Sequence, residues 1–305
     1  MTLYDLLNEG SAALQQAGDT DGENDAKLLL FEALHLDLVH FLMDRLRPLS
    51  EQDAEVQEQI RTYREMIEKR ASRIPLQQIL GSQEFMGLDF FVNEHVLIPR
   101  QDTETLVELV LQEQQGPEKK LLDLCTGSGC IAISLAVKGG YRSVTATDLS
   151  EEALKVAERN AKMHGFAVVS HTETQDAPEQ AGHSFIFRQG DLFTAMPQSE
   201  AGTFDIITSN PPYIPTAVIA TLEPEVREHE PMMALDGTGD GLKFYRRIAK
   251  EAGTWLKPGG AVYLEIGYDQ GKAVSELLSE AGFAKIRVVK DLPGKDRVVC
   301  GIWPG

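Results

Sequence analysis

Four consecutive residues, Asn210, Pro211, Pro212 and Tyr213, have the types needed to grip a planar NH2 group. The lone pair of an amide or amino nitrogen is delocalised, so a catalyst that alkylates it must hold both N–H groups and the flat face while the nitrogen pyramidalises. The Asn210 side-chain oxygen can accept one N–H, and the Pro211 carbonyl, on a backbone whose φ the ring fixes, can accept the other. Tyr213 offers an aromatic surface for the planar group. Acceleration would come mainly from orientation, which can supply roughly 7–11 kcal/mol. No strong base is needed, because the nitrogen turns acidic only once alkylated. The competing reading is an ordinary turn, since Asn-Pro and Pro-Pro pairs punctuate loops. The preceding run Phe204 to Thr208 (FDIIT) favours a site. It reads as a buried parallel strand, and open α/β sheets bind ligands at the carboxyl ends of such strands.

A site for the electrophile is offered by LLDLCTGSGCIAISLA, Leu121 to Ala136. An apolar strand leads into a small-residue turn through Cys125, Thr126, Gly127, Ser128 and Gly129, and an apolar helix starts near Cys130. Glycines at a strand-to-helix turn permit a tight bend and close approach of a ligand to the backbone. About 20 residues on, VTATD ends in Asp148, placed where a carboxylate can take both hydroxyls of a ribose. A third glycine is missing and no basic residue accompanies the turn, so a nucleoside cofactor without phosphates fits better than a dinucleotide. S-adenosyl-L-methionine is such a molecule, and its sulfonium methyl is an electrophile suited to the Asn-Pro-Pro-Tyr clamp.

With turn, acidic residue and clamp in this order, the chain resembles class I S-adenosylmethionine-dependent methyltransferases. More narrowly, it resembles the bacterial peptide-chain release factor glutamine N5-methyltransferases (the PrmC, or HemK, family). The likeness runs over nearly the whole length, through DAKLLL (Asp25 to Leu30), EFMGLDFFV (Glu84 to Val92), VLIPRQDTE (Val96 to Glu104), DLCTGSG (Asp123 to Gly129), GDLF (Gly190 to Phe193), SNPPYI (Ser209 to Ile214) and DGTGDGL (Asp236 to Leu242). The clamp motif alone is shared with adenine-N6 methyltransferases, whereas IPR followed by DTE, together with GDGL, is more selective.

The resemblance implies methyl transfer from S-adenosyl-L-methionine to the glutamine N5 of the Gly-Gly-Gln motif in class 1 release factors, leaving S-adenosyl-L-homocysteine and supporting translation termination. Position by position, it implies that Cys125 to Gly129 wrap the cofactor, with Thr126, Gly127 and Gly129 on its methionine side. Asp148 would take the ribose, Asp191 and Leu192 would border the adenine, and Asn210 would border both cofactor and acceptor. Asn210, Pro211, Pro212 and Tyr213 would grip the glutamine, and Arg100, Thr103 and Glu104 would form or support the pocket wall. Read from residue types alone, those last three equally suit a helix N-terminus capped by Asp102 or Thr103. A ribosomal-protein glutamine methyltransferase and an adenine-N6 DNA or RNA methyltransferase are the alternatives within this chemistry. A scaffold with an idle clamp is the non-enzymatic one, and the intact Asn210 and Tyr213 argue against it.

Two stretches depart from the family pattern. Cys125 replaces the first glycine of the commonest turn, so a positive φ is not expected there, and Cys125 and Cys130 read as small packing residues rather than nucleophiles. The linking segment 166–184 is longer and more polar than usual and reads as an exposed loop. Its His171 and His183 have no partners at a metal-binding spacing, and no metal is expected.

Composition narrows the partners. The net charge of −18 and a pI near 4.8 oppose a protein that must hold a polyanion, so a protein substrate is expected and nucleic acid is not. The densest basic stretch, Arg61 to Arg73, is interleaved with glutamates and reads as a solvated helical face with i,i+4 pairs such as Glu65 and Lys69. Three cysteines without a CxxC pair suggest a reducing compartment. No segment approaches the roughly 20 apolar residues of a membrane span, and MTLYDLLNEG lacks an export signal. A cytoplasmic monomer that does not engage membranes is expected.

The elements that must position these residues follow from periodicity. Residues 1–81 carry leucines at helical spacing with Pro48 and Pro75 as breakers, and read as a helical bundle for substrate docking. Residues 82–99, aromatic and β-branched around Gly87, read as a β-hairpin linking two domains. Residues 100–305 alternate strands and helices, with strands expected at 121–124, 143–148, 185–188, 204–208, 260–266, 284–289 and 298–303. This is the α/β, Rossmann-like class I methyltransferase pattern: a seven-stranded, mostly parallel sheet ending in an antiparallel edge hairpin turned at Leu292, Pro293 and Gly294. GTGDGL follows no recognisable strand and reads as a turn starting a helix, and Glu265 reads as a sheet-end carboxylate bonded locally.

Overall fold

Helix starts in the first eighty residues are set by side chains that satisfy the free N–H groups of the first turn. Thr2 and Asp5 form a reciprocal capping box ahead of α1 (Leu3–Gln16). After α2 (Gly22–Leu34), Asp37 caps α3 (Leu38–Asp44) and Asp53 caps α4 (Ala54–Ala71). Pro75 precedes the short α5 (Leu76–Leu80). The computed structural model describes residues 1–50, 52–170 and 184–305, so the expectations for His171 and His183 lie outside the described residues. It divides into two units, the first comprising Met1–Gly81 and Glu223–His229.

The leucine stripe of α1 meets α2 and α4 in one apolar core that includes Leu6, Leu14, Leu29, Leu30, Tyr63 and Ile67. Each such side chain contributes about 1.5–3 kcal/mol when fully buried. Close helix approach requires Gly10, where a Cβ would meet Ile67 Cδ1 at 2.9 Å.

The basic stretch is not wholly solvated. Arg70, 7% exposed, pairs with Asp19 at 2.9 Å, Asp25 at 2.7 Å and Glu225 at 3.0 Å, and Arg73 holds Glu225 at 2.7 Å. A charge alternation read along one helix could not reveal carboxylates arriving from α2 and from residues 223–229. The partners of Arg61 are Glu58 and, i,i+4, Glu65.

The second unit comprises Ser82–Leu222 and Glu230–Gly305. It opens with an antiparallel hairpin, β1 (Ser82–Phe85) and β2 (Leu88–Phe91), whose Phe85 and Phe90 are buried in this unit's own core. Then come α6 (Gln101–Glu113), β3 (Lys120–Leu124), α7 (Cys130–Gly139), β4 (Ser143–Asp148), α8 (Glu151–Met163), β5 (Ala167–Val169), β6 (Ser184–Gln189) and β7 (Phe204–Ser209). Short pieces follow: β8 (Ile214–Pro215), α9 (Thr216–Ile219), α10 (Pro224–His229, in the first unit), α11 (Met232–Leu235) and β9 (Asp236–Thr238). The chain ends with α12 (Lys243–Trp255), β10 (Leu256–Glu265), α13 (Gly271–Glu280), β11 (Ala284–Lys290) and β12 (Asp296–Ile302).

The main sheet runs β11-β12-β10-β7-β3-β4-β6-β5, parallel except for β12 against its two neighbours. All seven expected strands are present, and β11 and β12 form the antiparallel edge hairpin. An eighth strand, Ala167–Val169, lies within the segment expected to be loop, where three residues are too few for a period-2 signal to stand out. Asp236–Thr238, read as part of a turn, pairs in parallel with Ile214–Pro215. Neither Asp102 nor Thr103 caps α6: Arg100 is its N-cap residue and makes no side-chain cap bond, while Asp102 pairs with Arg297 at 2.9 Å.

Replacing Arg70 by Ala leaves buried carboxylates unpaired and is expected to destabilise the first unit by about 3–5 kcal/mol. Urea unfolding followed by far-UV circular dichroism checks this; an unchanged midpoint would show the cluster to be structurally idle.

Candidate active site

Sheet register decides which side chains can meet. Leu121, Ile206 and Ala261 lie in one lateral row across β3, β7 and β10, and Asp123, Thr208 and Tyr263 lie two residues further along. Leu121, Ile206, Ala261 and Tyr263 belong to the core on the α6 and α7 side, whereas Leu122, Leu124, Ile207 and Val262 belong to the other. Side chains alternate faces along a strand, so the next row on the first side is Asn210 with Glu265.

Asp123 braces this end of the sheet from 0% exposure. Its Oδ1 accepts from Thr208 Oγ1 and its Oδ2 from Thr126 Oγ1, both at 2.7 Å. Burial pushes its pKa up to about 7, partly offset by those two hydroxyls. The turn is thereby tied to both strands, and Thr126 N donates to Thr147 O of β4 at 3.0 Å.

The turn contradicts the expectation for Cys125, which adopts φ 56°, in the left-handed region. A side chain there costs roughly 1–2 kcal/mol. Gly127 at φ 55° faces open space where a Cβ would stand, as a ligand pressed against the backbone requires. Gly129 does not line the cavity; a Cβ there would meet Ile133 Cδ1 at 2.9 Å, so it serves helix packing. Burial pushes the Cys125 thiol upward and the Cys130 thiol up to about 12, so neither is a thiolate near neutrality.

The Asp148 carboxylate is held in place by Gly127 N and Ser150 N, each donating at 2.9 Å, and burial raises its pKa despite them. Each of its oxygens retains acceptor capacity for a ribose diol. Asn160 of α8, fully buried, donates to Ser128 O at 2.9 Å and Phe91 O at 3.0 Å, locking turn and hairpin together. Its role was not anticipated, although a polar residue on the buried stripe of α8 is the signal that could have found it.

These pieces surround a cavity of about 490 Å³, within the range of about 300–1,000 Å³ typical of small-molecule pockets. Cys125, Thr126, Gly127 and Ser128 line it together with Asp148, Asp191, Leu192, Asn210 and Pro212. Arg100 and Thr103 also line it. Glu104 does not: its Oε1 accepts from Met86 N at 2.5 Å, in the hairpin. Pro211 is buried and Tyr213 half-buried beside the cavity rather than on its lining. The open face of Gly127, the fixed Asp148 and the small-residue turn fit a nucleoside. Arg247 holds both oxygens of Asp191 at 2.8 Å, and Leu192 at φ 54° is a second strained residue on the lining.

Side chains behind the lining hold it in shape. Arg100 donates to the buried Glu230 at 2.8 Å. Gln270 donates to Tyr213 O at 3.0 Å, and a Cβ on Gly237 would meet the Tyr213 backbone at 2.8 Å. The GDGL region therefore packs directly against the clamp. Glu265, 2% exposed, has its pKa pushed up to about 7 by burial, offset by Thr103, Arg297 and Asn210. Glu230 and Gln270 carry no local sequence signal for the site, because the site residues they hold, Arg100 and Tyr213, lie 130 and 57 residues away.

Two outcomes are expected. Cys125→Val places a β-branched residue at positive φ and should destabilise by about 2 kcal/mol more than Cys125→Gly, read from thermal unfolding; equal losses would contradict the strain. For Asp123, an acid raised from 3.8 to about 7 on folding, the stabilisation is complete below about pH 4 and is lost as pH rises through 7. Asp123→Asn should therefore gain on the parent protein by roughly 2–3 kcal/mol between pH 5 and pH 8, and urea midpoints showing a constant gap would refute this.

Comparison with known proteins agrees with the geometry. The family profile described as PrmC N-terminal domain matches residues 5–81, and that described as methyltransferase small domain matches residues 100–222. A release factor glutamine methyltransferase from Geobacter sulfurreducens is 39% identical over 300 residues, covering 98% of this chain and 96% of the relative. One from Bacillus subtilis is 36% identical, covering 99% and 98%. Among solved structures, a methyltransferase from Pyrococcus furiosus, 20% identical, superposes with a TM-score of 0.50 over 78% of this chain and 98% of its own, a likeness of fold alone. With such identity along almost its entire length, the chain belongs to the release factor glutamine methyltransferase family.

Proposed function

We propose that this chain methylates the side-chain N5 of the glutamine in the Gly-Gly-Gln motif of class 1 release factors, with S-adenosyl-L-methionine as donor. The observation that carries the reading is that Asn210 and Pro212 line the same cavity as Asp148 and the Cys125–Ser128 turn. Donor and acceptor would meet there without any rearrangement of the sheet.

When bound, S-adenosyl-L-methionine supplies an electrophilic methyl on a sulfonium. Asp148 would hold its ribose, the turn its methionine portion, and Asp191 with Leu192 its adenine. Asn210 Oδ1 and the Pro211 carbonyl would accept the two amide N–H groups, orienting the nitrogen and favouring its pyramidal form. Tyr213, whose hydroxyl stays protonated because burial raises its pKa, would present its ring rather than act as a base.

The helical bundle would dock the protein substrate. The α3 region supports this, with Leu42, Met43 and Leu46 between 52% and 70% exposed, an apolar row unusual for a helix without a partner. The charge of −18 favours a protein acceptor over nucleic acid. No helix among the described residues is long and apolar enough to cross a membrane. We read the protein as a cytoplasmic monomer.

Methyl-labelled cofactor offered with a recombinant release factor, ribosomes and duplex DNA tests the reading, the methyl being located by mass spectrometry. Label is expected on the Gly-Gly-Gln glutamine, and label in DNA or ribosomal protein instead would overturn it. Asn210→Ala should keep cofactor affinity within about threefold while losing at least about 100-fold in kcat; an unchanged kcat would remove Asn210 from the clamp.

A further inference from the structure

Glu265 is a buried acid without an assigned task. It ends β10 at 2% exposure, and its Oε2 has no hydrogen-bond partner among the described residues. Burying a carboxylate costs free energy that an apolar side chain of similar size would not. Packing alone therefore does not account for an acid at this position.

Its place in the sheet suggests the task. Leu264 pairs with Ser209, so Glu265 and Asn210 continue the same lateral row and share the face of Tyr263 and Thr208. The Asn210 amide and the Thr103 hydroxyl are near enough to favour the ionised carboxylate. An asparagine amide has an accepting end and a donating end, and an acceptor N–H in the cavity must meet the oxygen. A carboxylate beside the amide can accept only from the NH2 end.

We propose that Glu265 is a positioning residue for Asn210, accepting from its side-chain NH2 and so holding Oδ1 toward the acceptor nitrogen. This rests on the amide-acceptor reading above. The ionised acid enforces the orientation; the protonated acid can instead donate to Oδ1 and releases it. Several charged, titratable or hydrogen-bonding groups face Glu265 and set where it titrates. They are Asp102 and Thr103 of α6, Asn210 and Tyr213 of the clamp, Cys130 of α7, and Arg297 of β12 with its partner Asp291. From α12, the Tyr245 hydroxyl donates to the Glu265 carbonyl at 2.7 Å.

The first test needs no turnover. The asparagines of the chain are Asn8, Asn24, Asn93, Asn160 and Asn210, so selective 15N labelling gives few side-chain signals, and the Asn210 pair is identified by its loss in Asn210→Ala. In the parent protein this pair should shift strongly near pH 7, where burial places the acid, and in Glu265→Gln only the smaller shift from Asp123, one row away and titrating in the same range, should remain. A pair that does not titrate in the parent, or titrates equally in Glu265→Gln, overturns the proposal.

The second test separates positioning from support. Glu265→Leu should lose at least about 30-fold in kcat with cofactor affinity within about threefold. Glu265→Gln, which still offers an oxygen to the NH2, should stay within about tenfold and lose the rise in rate that the parent shows through neutral pH. Unchanged kcat in Glu265→Leu, or affinity falling in step with rate, overturns the proposal, and if that variant does not fold, the two Glu265→Gln profiles decide. Label on an acceptor other than glutamine would defeat the release-factor reading, while the 15N titration would still judge Glu265.

Discussion

The site depends on one buried carboxylate. Asp123 accepts one hydroxyl from the glycine-rich turn and one from β7, with no exposure to water. It thus fixes the distance between the element expected to hold the methyl donor and the one that ends in the clamp. A buried unpaired carboxylate is costly, so both hydroxyl bonds must form together with the sheet. The rows that follow, ending in Asn210 and Glu265, inherit their position from that register.

The same region carries backbone strain. Of the non-glycine residues with positive φ among those described, Cys125, Leu192 and Thr238 all line the cavity. Each conformation costs on the order of 1–3 kcal/mol and persists only where the surroundings over-determine it. The surroundings are visible: Thr126 is bonded to Thr147 and Asp123, Ser128 to Asn160, and Thr238 lies in the short ladder with Pro215. Bonds made by the neighbours of Cys125, and those made by Thr238 itself, hold these two conformations in place.

Much of this was legible in the sequence. Continuous apolar runs marked β3 and β7, and the parallel, doubly wound arrangement followed from strand–helix alternation. Asp148 and Asn210 stand at strand ends that residue types alone identified. Groups whose partners arrive from distant segments were illegible. Arg70 looked like one charge on a solvated helix until carboxylates from α2 and residues 223–229 surrounded it. Glu104 read equally as pocket wall and as a first-turn helix residue; it stands in the first turn of α6, with its carboxylate turned to the hairpin backbone at Met86. The φ of Cys125 escaped prediction for a related reason: residue identity gives the cost of a conformation, while neighbours decide whether the cost is met.

The central claim is that one cavity, organised by the carboxyl ends of β3, β4 and β7, holds the donor nucleoside and the acceptor amide against Asp148 and Asn210. A crystal structure with S-adenosyl-L-homocysteine and a Gly-Gly-Gln peptide tests it most directly. The account predicts Asp148 oxygens on the ribose hydroxyls and Asn210 Oδ1 at about 2.9 Å from the glutamine nitrogen. A nucleoside bound away from Asp148, or a glutamine amide turned away from Asn210, would contradict it.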